Sequence, residues 1–214
     1  MSIKIVPAYD KKQEVKALFS EYTQMIIEQD ESFREYLSLQ NYDDETEHLE
    51  IKYGMPDGRI YLLYCEDSPA GCIALKKIDS QSGEMKRLYI RPEFRGRKLG
   101  ELLVRKVIEQ AKEIGYNSIL LDTFPYLNKA ICLYKKLGFY EIERYNDNPI
   151  DTSIYMIHFD DIKKYACIIE NRLDDEYCTF QSVLQDNRKT LELAQNYNVN
   201  YILIDDSYQL NIEL

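Results

Sequence analysis

The chain has 214 residues, a length that suits one domain or slightly more. It carries 27 basic and 37 acidic residues, and the resulting formal charge of −10 argues against nucleic-acid binding, since that affinity comes from lysine and arginine displacing counterions. The longest apolar runs fall far short of the roughly 20 residues that cross a bilayer. Residues 1–5 contain no apolar stretch before a cleavage site, so we expect a cytoplasmic protein that binds neither membrane nor nucleic acid.

The cysteines and histidines give no sign of a disulfide framework or a metal site. The five cysteines are an odd number and none forms a Cys-x-x-Cys pair, while the two histidines, His48 and His158, lie far apart in the chain. Metal sites need clustered ligands, and disulfide frameworks belong to short, cysteine-dense, oxidised chains. We therefore expect reduced, buried thiols and no metal.

The first fifty residues predict one strand and two helices. Residues 3–8 are β-like, and Asp10 is placed to begin a helix with Gln13 as its capping-box partner. Apolar residues then recur at helical spacing up to Ile26. The acidic, tyrosine-rich segment 28–50 favours a second helix with a solvated face.

From residue 59 onwards, strand and helix patterns alternate up to about residue 160. Turn residues separate three strands that form an antiparallel meander, and glycines follow the two helices in the usual C-terminal position. The predicted strands cover residues 59–65, 71–77, 84–90, 118–122, 139–143 and 152–159, and the helices cover 99–114 and 128–137. This order indicates an α/β (α+β) fold in which a mixed sheet is covered by helices.

Residues 161–214 predict a helix at about 181–197 and a hairpin with strands at 201–204 and 208–214. About fifty residues are few for independent folding. We expect an accessory element, distinct from domain 1–160, that serves packing or dimerisation.

One basic loop lies between the third meander strand and the following helix. It reads Arg95-Gly96-Arg97-Lys98-Leu99-Gly100. A glycine-bearing loop that leads into a helix N-terminus presents free N–H groups and the positive end of the helix dipole, which suits a pyrophosphate. A basic turn with nothing bound is the alternative.

The segment from Glu84 to Gly100, which contains this loop, resembles the acyl-CoA-binding motif of the GNAT N-acetyltransferase superfamily. Thirty residues after Gly100, the segment Ala130-Ile131-Cys132-Leu133-Tyr134-Lys135-Lys136-Leu137-Gly138-Phe139 is similar to the superfamily's second signature. The resemblance covers roughly residues 3–160. It implies a mostly antiparallel sheet, acetyl-CoA as co-substrate, and direct transfer of the acetyl group to a primary amine in a ternary complex.

The resemblance also implies a set of cofactor-binding residues. Arg95 and Gly100 match the ends of the loop pattern Arg/Gln-x-x-Gly-x-Gly/Ala, whereas Lys98 replaces its middle glycine. Many relatives have an asparagine where this chain has Leu127, and here Asn128 follows one place later. The strand edge Leu88, Tyr89 and Ile90 is expected to pair with the pantetheine amides, as a peptide adds to a sheet edge. The predicted set is Leu88, Tyr89, Ile90, Arg95, Gly96, Arg97, Lys98, Leu99, Gly100 and Asn128.

Two residues are predicted to be catalytic. Tyr134 matches a tyrosine that serves as general acid, and a phenol within hydrogen-bond reach can protonate a departing thiolate; core packing is the alternative. Glu84 is predicted to lie on one face of its strand with Lys86 and Leu88, as a base or an amine-binding group; a solvated strand end is the alternative. A backbone N–H near Leu88 is expected to meet the oxyanion.

Other candidates receive smaller roles. Asp122 ends a strand near the expected cleft, where a turn cap is the simpler interpretation. Cys132 is expected to pack inward rather than to carry the acyl group. The acidic residues Asp43, Asp44, Glu45 and Glu47 favour a cationic acceptor, either a small molecule or a peptide amine. Two other functions stay open, namely a non-catalytic acyl-CoA-binding module and a protein-interaction module organised by the C-terminal element.

Overall fold

The structure is a computed structural model that describes residues 2–39, 42–148, 150 and 152–159, together with two short strands near the C-terminus. The chain divides into two units, residues 1–158 and 159–214. None of the helices in the described ranges is both long enough and apolar enough to cross a membrane.

A seven-stranded sheet, in the order β1-β2-β3-β4-β5-β7-β6, forms the centre of the first unit. Strands β1 to β4 pair antiparallel in sequence order, β4 pairs parallel with β5, and β6 pairs antiparallel with β7. The strands are β1 Ile3–Pro7, β2 Arg59–Cys65, β3 Ser68–Lys77, β4 Ser82–Ile90, β5 Ser118–Thr123, β6 Tyr140–Ile142 and β7 Ile154–Phe159. The mixed, mostly antiparallel sheet expected from the sequence is confirmed.

Six α-helices among the described residues accompany the sheet. They are α1 Lys12–Ile27, α2 Phe33–Leu39, α3 Tyr42–Glu47, α4 Leu49–Tyr53, α5 Leu99–Ile114 and α6 Asn128–Lys136. The capping box predicted at Asp10 is wrong, because Lys11 is the N-cap of α1 and makes no side-chain cap bond.

The single helix expected over residues 28–50 is also wrong, since α2, α3 and α4 share that segment. The carboxylate of Asp30 accepts hydrogen bonds from the backbone N–H and the hydroxyl of Ser32, at 3.0 and 2.6 Å. Such a local bond offers the backbone an alternative to the helix and separates α1 from α2.

Each face of the sheet carries its own apolar core. Leu103, Val104 and Val107 of α5 pack on one face with Ile73 and Leu75. Residues of α1, among them Phe19, pack on the other face with Cys72 and Ala74. The sheet is thus held between α1 and α5, and the residues of β4 alternate between the two cores.

A β-bulge interrupts that alternation in β4. Cys72 of β3 pairs with Tyr89 and Ala74 pairs with Lys86, so two residues of β4, Arg87 and Leu88, lie opposite one residue of β3. Arg87 has a left-handed backbone, with φ at 59°. Its guanidinium lies over the rings of Phe19 and Tyr42, on the α1 face, while Leu88 packs against the α5 core. The expectation that Lys86 and Leu88 share a face is therefore wrong, since a bulge shifts the two-residue period by one.

Strands β4 and β5 separate part-way along their length. Their parallel ladder joins Ser82–Glu84 to Ser118–Leu120 and stops there among the described residues. Beyond it β4 continues to Ile90 and β5 to Thr123. The opening between them forms the mouth of the cavity described below.

In the second unit, β8 (Leu203–Ile204) and β9 (Leu210–Asn211) pair antiparallel. They fall within the two strands of the hairpin predicted at 201–214. The helix predicted at about 181–197 lies outside the described residues.

Candidate active site

A cavity of about 760 Å³ lies where β4 and β5 separate. Its size is typical of a small-molecule or cofactor site. The walls come from the free half of β4, the loop into α5, the end of β5 and the start of α6. Of the described residues that line it, five are cationic and two acidic, namely Lys86, Arg87, Arg95, Lys98, Lys129, Asp122 and Glu101.

The N-terminus of α5 lies at one end of this cavity, which we call the loop end (Arg95, Gly96, Lys98, Leu99 and Gly100). Lys98 is the N-cap of α5 and makes no side-chain cap bond. The first N–H groups of a helix have no partner within it, so these donors and the helix dipole are available to an anion. The loop end therefore has the donors that a phosphate requires.

Lys98 adopts the backbone conformation that the family's glycine would favour. Its φ is 58° and its ψ 19°, in the left-handed region. Lysine at this position thus takes up a backbone conformation that glycine adopts without steric cost, and it adds a cation. Arg95 turns back over the sheet, and its guanidinium donates to the carbonyl of Ile90 at 2.9 Å and lies over the ring of Tyr89.

Most of the cofactor-binding residues predicted from the sequence meet at this cavity. Arg97 does not line it; its guanidinium lies over the ring of Phe94, 5.8 Å from the centroid. Gly100 lies beside α6, where an added Cβ would make an ordinary contact with Leu133 Cδ2 at 3.4 Å. The nine that do line the cavity are Leu88, Tyr89, Ile90, Arg95, Gly96, Lys98, Leu99, Gly100 and Asn128.

Tyr134 of α6 lies in the wall of the cavity and is 7% exposed. Its ring packs against Phe139, with centroids 5.7 Å apart. Burial raises the pKa of the Tyr134 phenol above its ordinary value. The hydroxyl accordingly stays protonated at neutral pH, as a hydrogen-bond donor must. The ring therefore packs in the core and also lines the cavity, and the role of Tyr134 as general acid stays a prediction.

Glu84 lies at the last parallel pair between β4 and β5 and does not line the cavity. It is 2% exposed, and its carboxylate contacts Lys76 at 2.6 Å and accepts a hydrogen bond from the Tyr145 hydroxyl at 2.7 Å. Burial opposes ionisation, but Lys86 and Lys76 outweigh it and hold the pKa of Glu84 below its ordinary value. A carboxylate so placed is a weak base.

A second ion pair, Lys86 with Asp122, lies in the cavity wall itself. The ammonium of Lys86 is 3.0 Å from Asp122 Oδ1, and Asp122 Oδ2 accepts a hydrogen bond from Asn148 at 3.1 Å. Although burial favours the neutral acid, Lys86 and the amide donors lower the pKa of Asp122 to about 2. The sequence placed Asp122 near the cleft but gave no sign of its partner, which lies on another strand.

The sequence of this chain matches the acetyltransferase (GNAT) family over residues 22–139. The chain belongs to the GNAT family. It is 40% identical over 158 residues to an uncharacterized N-acetyltransferase of Schizosaccharomyces pombe, covering 73% of this chain and 93% of that protein. It is 31% identical to another from Dictyostelium discoideum, covering 70% of this chain and 94% of that protein.

A solved structure shares the fold. The PaiA N-acetyltransferase of Thermoplasma acidophilum, crystallised in complex with coenzyme A, matches with a TM-score of 0.57 at 21% identity, covering 75% of this chain and 100% of the other. This GNAT protein is thus an N-acetyltransferase, with acetyl-CoA as the acyl donor of its family.

The acidic segment of this GNAT enzyme does not reach the cavity. Glu45 is 3% exposed and accepts from Arg87 Nε at 2.9 Å, from Lys52 Nζ at 2.8 Å and from the Tyr53 hydroxyl at 2.9 Å. Glu47 pairs with Lys16 at the surface. None of the four acidic residues at 43–47 lines the cavity, so they give no reason to expect a cationic acceptor.

Four aromatic residues and Met25 form a further part of the cavity wall, which we call the aromatic end (Tyr22, Met25, Phe33, Phe124 and Tyr126). It adjoins the loop end, since the sulfur of Met25 accepts a hydrogen bond from Arg95 at 3.3 Å. Phe124 stacks on Tyr126 with ring centroids 5.4 Å apart, and Phe33 meets Phe124 edge-on at the same distance. Sequence reasoning missed this set, because its members come from α1, α2 and the loop after β5. The expectation that Cys132 packs inward is wrong, since it is exposed on α6.

Proposed function

We propose that this GNAT enzyme transfers the acetyl group of acetyl-CoA directly to the primary amine of a small molecule. The observation that supports the proposal is that the uncapped start of α5, the free edge of β4 and the Tyr134 side chain all line the same cavity. Cys132, which would be needed for an acyl-enzyme route, does not line that cavity. Direct attack within a ternary complex is therefore preferred.

In this proposal the loop end holds the pyrophosphate of acetyl-CoA. The N–H groups that begin α5 donate to the phosphate oxygens, and Arg95 and Lys98 supply positive charge. The edge of β4 over Leu88–Ile90 pairs with the amides of the pantetheine arm. That arm then directs the thioester towards the opening between β4 and β5.

The chemical step begins when the amine nitrogen attacks the thioester carbonyl carbon. A C–N bond forms and the carbonyl oxygen becomes an oxyanion, which the backbone N–H of Leu88 is expected to meet, since a bulge leaves one residue outside the ladder. Collapse of this intermediate breaks the C–S bond and releases the thiolate of CoA. Tyr134 donates its proton to that sulfur, the nitrogen loses one proton to the solvent, and the Tyr134 phenolate takes a proton back from the solvent.

Neither acidic group near the opening suits the role of base, since the pKa of Asp122 is about 2 and the pKa of Glu84 is lowered. Lys86 and Asp122 line the cavity as an ion pair without net charge, so neither of them takes the proton of the amine. The acceptor is thus expected to react as its free base. We assign Glu84 the role of positioning Lys86, 3.5 Å away, together with Asp122.

Substitution of Tyr134 by phenylalanine tests this proposal. We expect Tyr134→Phe to lower kcat by about 100-fold, the lower range for general acid catalysis, because the ring still packs and only the proton donor is lost. Release of CoA thiol measures kcat, and calorimetry should give an unchanged Kd for acetyl-CoA.

Tyr116→Phe is the matched control. It also removes a phenol from a buried ring, but its hydroxyl donates to the carbonyl of Asp57, away from the cavity. This variant should keep the wild-type kcat. Equal kcat in the Tyr134→Phe and Tyr116→Phe variants would contradict the assignment.

A further inference from the structure

We propose that the amine acceptor carries a flat aromatic group, and that this group binds in the cavity against the ring pair Phe124–Tyr126. The inference rests on the proposed function, because it names the class of acceptor for the same site. It follows from the placement of the aromatic end beside the Lys86–Asp122 pair, at the opening where the thioester is expected.

The shape and chemistry of the walls favour an aromatic ligand. Phe33 and Phe124 are 3% and 5% exposed, so their rings are fixed by packing before any ligand arrives. Tyr126 stacks on Phe124 with an interplanar angle of 6°, which leaves a flat wall. Ring contacts of this kind are favourable beyond the area they bury, and a preformed wall needs little ordering on binding.

The charges of the cavity disfavour a second positive centre on the acceptor. Both acidic residues in the lining are already paired, Asp122 with Lys86 and Glu101 with Lys136 and Arg105. Five cationic residues line the same space. A polyamine or a lysine-rich peptide would therefore lose hydration of its further ammonium groups without gaining a carboxylate partner. A mono-amine with an apolar side group has no further ammonium group that would lose its hydration.

Tyr126 provides a matched pair of variants. Its hydroxyl is buried without a hydrogen-bond partner among the described residues, so its removal breaks no bond. Tyr126→Phe keeps the flat ring and loses only this hydroxyl, whereas Tyr126→Leu keeps an apolar side chain and loses the ring. The pair therefore separates the aromatic wall from polarity and from general apolar packing.

The test is equilibrium binding of three probe amines to the full chain saturated with CoA, measured by ligand-observed NMR. The probes are 2-phenylethylamine, n-butylamine and 1,4-diaminobutane. We expect 2-phenylethylamine to bind about 10-fold more tightly than n-butylamine, and the diamine to bind most weakly. This ranking in the wild-type protein needs no variant and no turnover.

The two Tyr126 variants test whether the aromatic ring itself is responsible for this ranking. Tyr126→Leu should lower the affinity for 2-phenylethylamine by about 10-fold and leave the affinity for n-butylamine unchanged. Tyr126→Phe should bind both amines with the affinity of the wild type. CoA affinity, measured in the same samples, reports whether each variant is folded.

Two results would overturn the inference alone: tighter binding of the diamine than of 2-phenylethylamine, or equal effects of Tyr126→Leu on both mono-amines. Failure of CoA itself to bind would overturn the proposed function and this inference with it.

Discussion

The ionisable side chains near the opening between β4 and β5 differ in the groups that surround them. Glu84, which is buried, and Asp122, whose side chain is 10% exposed, lie near the opening between β4 and β5, and their carboxylates are 3.5 and 3.0 Å from the Lys86 ammonium. Ion pairing stabilises their charged forms, so they are poor proton acceptors at neutral pH. Tyr134 has the opposite surroundings, because burial raises its pKa and keeps it protonated. Tyr134 is thus the protonated group at this opening, whereas the two carboxylates are ionised.

Substitution of Glu84 by glutamine distinguishes a positioning role from that of a base. Glu84→Gln keeps a hydrogen-bond acceptor for Tyr145 but removes the charge that faces Lys76 and Lys86. We expect the free energy of unfolding to fall by about 2 kcal/mol and kcat by less than about 10-fold. The pH profile of kcat/KM should keep its shape. A loss of 100-fold or more, together with loss of the acidic limb of that profile, would instead make Glu84 the base.

At the scale of elements, two non-glycine residues with left-handed backbones shape the cavity. Arg87 lies in the bulge of β4, and Lys98 caps α5. Each conformation is unfavourable for an L-residue, so surrounding contacts must maintain it. Around Arg87 these are the carboxylate of Glu45 and the thiol of Cys72, which donates to the Arg87 carbonyl at 3.4 Å. Helix α3 therefore supports the strand on which acetyl-CoA is expected to bind.

Two substitutions at Lys98 measure the strain in its loop. Lys98→Gly and Lys98→Ala remove the same charge, but only glycine adopts a φ of 58° without steric cost. We expect the glycine variant to be more stable than the alanine variant by about 1 kcal/mol in urea unfolding. Equal stability of the two variants would mean that the backbone at this position is not left-handed in solution.

The Glu45–Arg87 pair should make the stability of the fold depend on acid pH. Burial opposes ionisation of Glu45, but Arg87 and Lys52 lower its pKa from 4.5 to about 2. A carboxylate whose pKa is lowered by folding contributes stability above its unfolded pKa and loses it as pH falls towards the folded pKa. Glu45→Gln should therefore cost about 3 kcal/mol at pH 7, and the cost should shrink between pH 4.5 and pH 2.

Urea unfolding at pH 7, 4 and 3 measures this cost. Glu47→Gln serves as the control, because Glu47 is exposed and pairs only at the surface with Lys16. The control variant should follow the wild type at each pH. A cost for Glu45→Gln that is the same at all three pH values would contradict the account of this pair.

At the scale of the whole molecule, charge is unevenly distributed. The chain carries a net charge of −10, yet five cationic and two acidic residues among those described line its cavity. Such a site attracts the phosphates of acetyl-CoA against the overall field. The acidic residues at 43–47 add to the net charge without facing the acceptor, since Glu45 is buried against Arg87.

The topology of the whole molecule explains which features the sequence could predict and which it could not. The apolar run at 59–65 predicted β2 with its observed bounds, and apolar periodicity predicted a helix that begins near Leu99 and ends before Gly115, as α5 does. The two GNAT signatures drew attention to the loop end and to Tyr134. The pairs Lys86–Asp122 and Glu45–Arg87 join residues 36 and 42 positions apart, so their contact depends on topology rather than on local pattern. The bulge was hidden for a related reason, because an extra residue in a strand leaves no signature in hydrophobic alternation. The roles of Glu84 and of residues 161–214 stay predictions.

Calorimetric titration of acetyl-CoA into the full chain tests the central claim, which is that the loop end binds the donor. Arg95→Glu reverses a charge in that loop, and Lys77→Glu makes the same change in net charge on an exposed residue that does not line the cavity. We expect a Kd of about 1–10 μM for the wild type and for Lys77→Glu, and a loss of at least about 10-fold for Arg95→Glu. Equal affinity of all three proteins, or no binding to the wild type, would contradict the account.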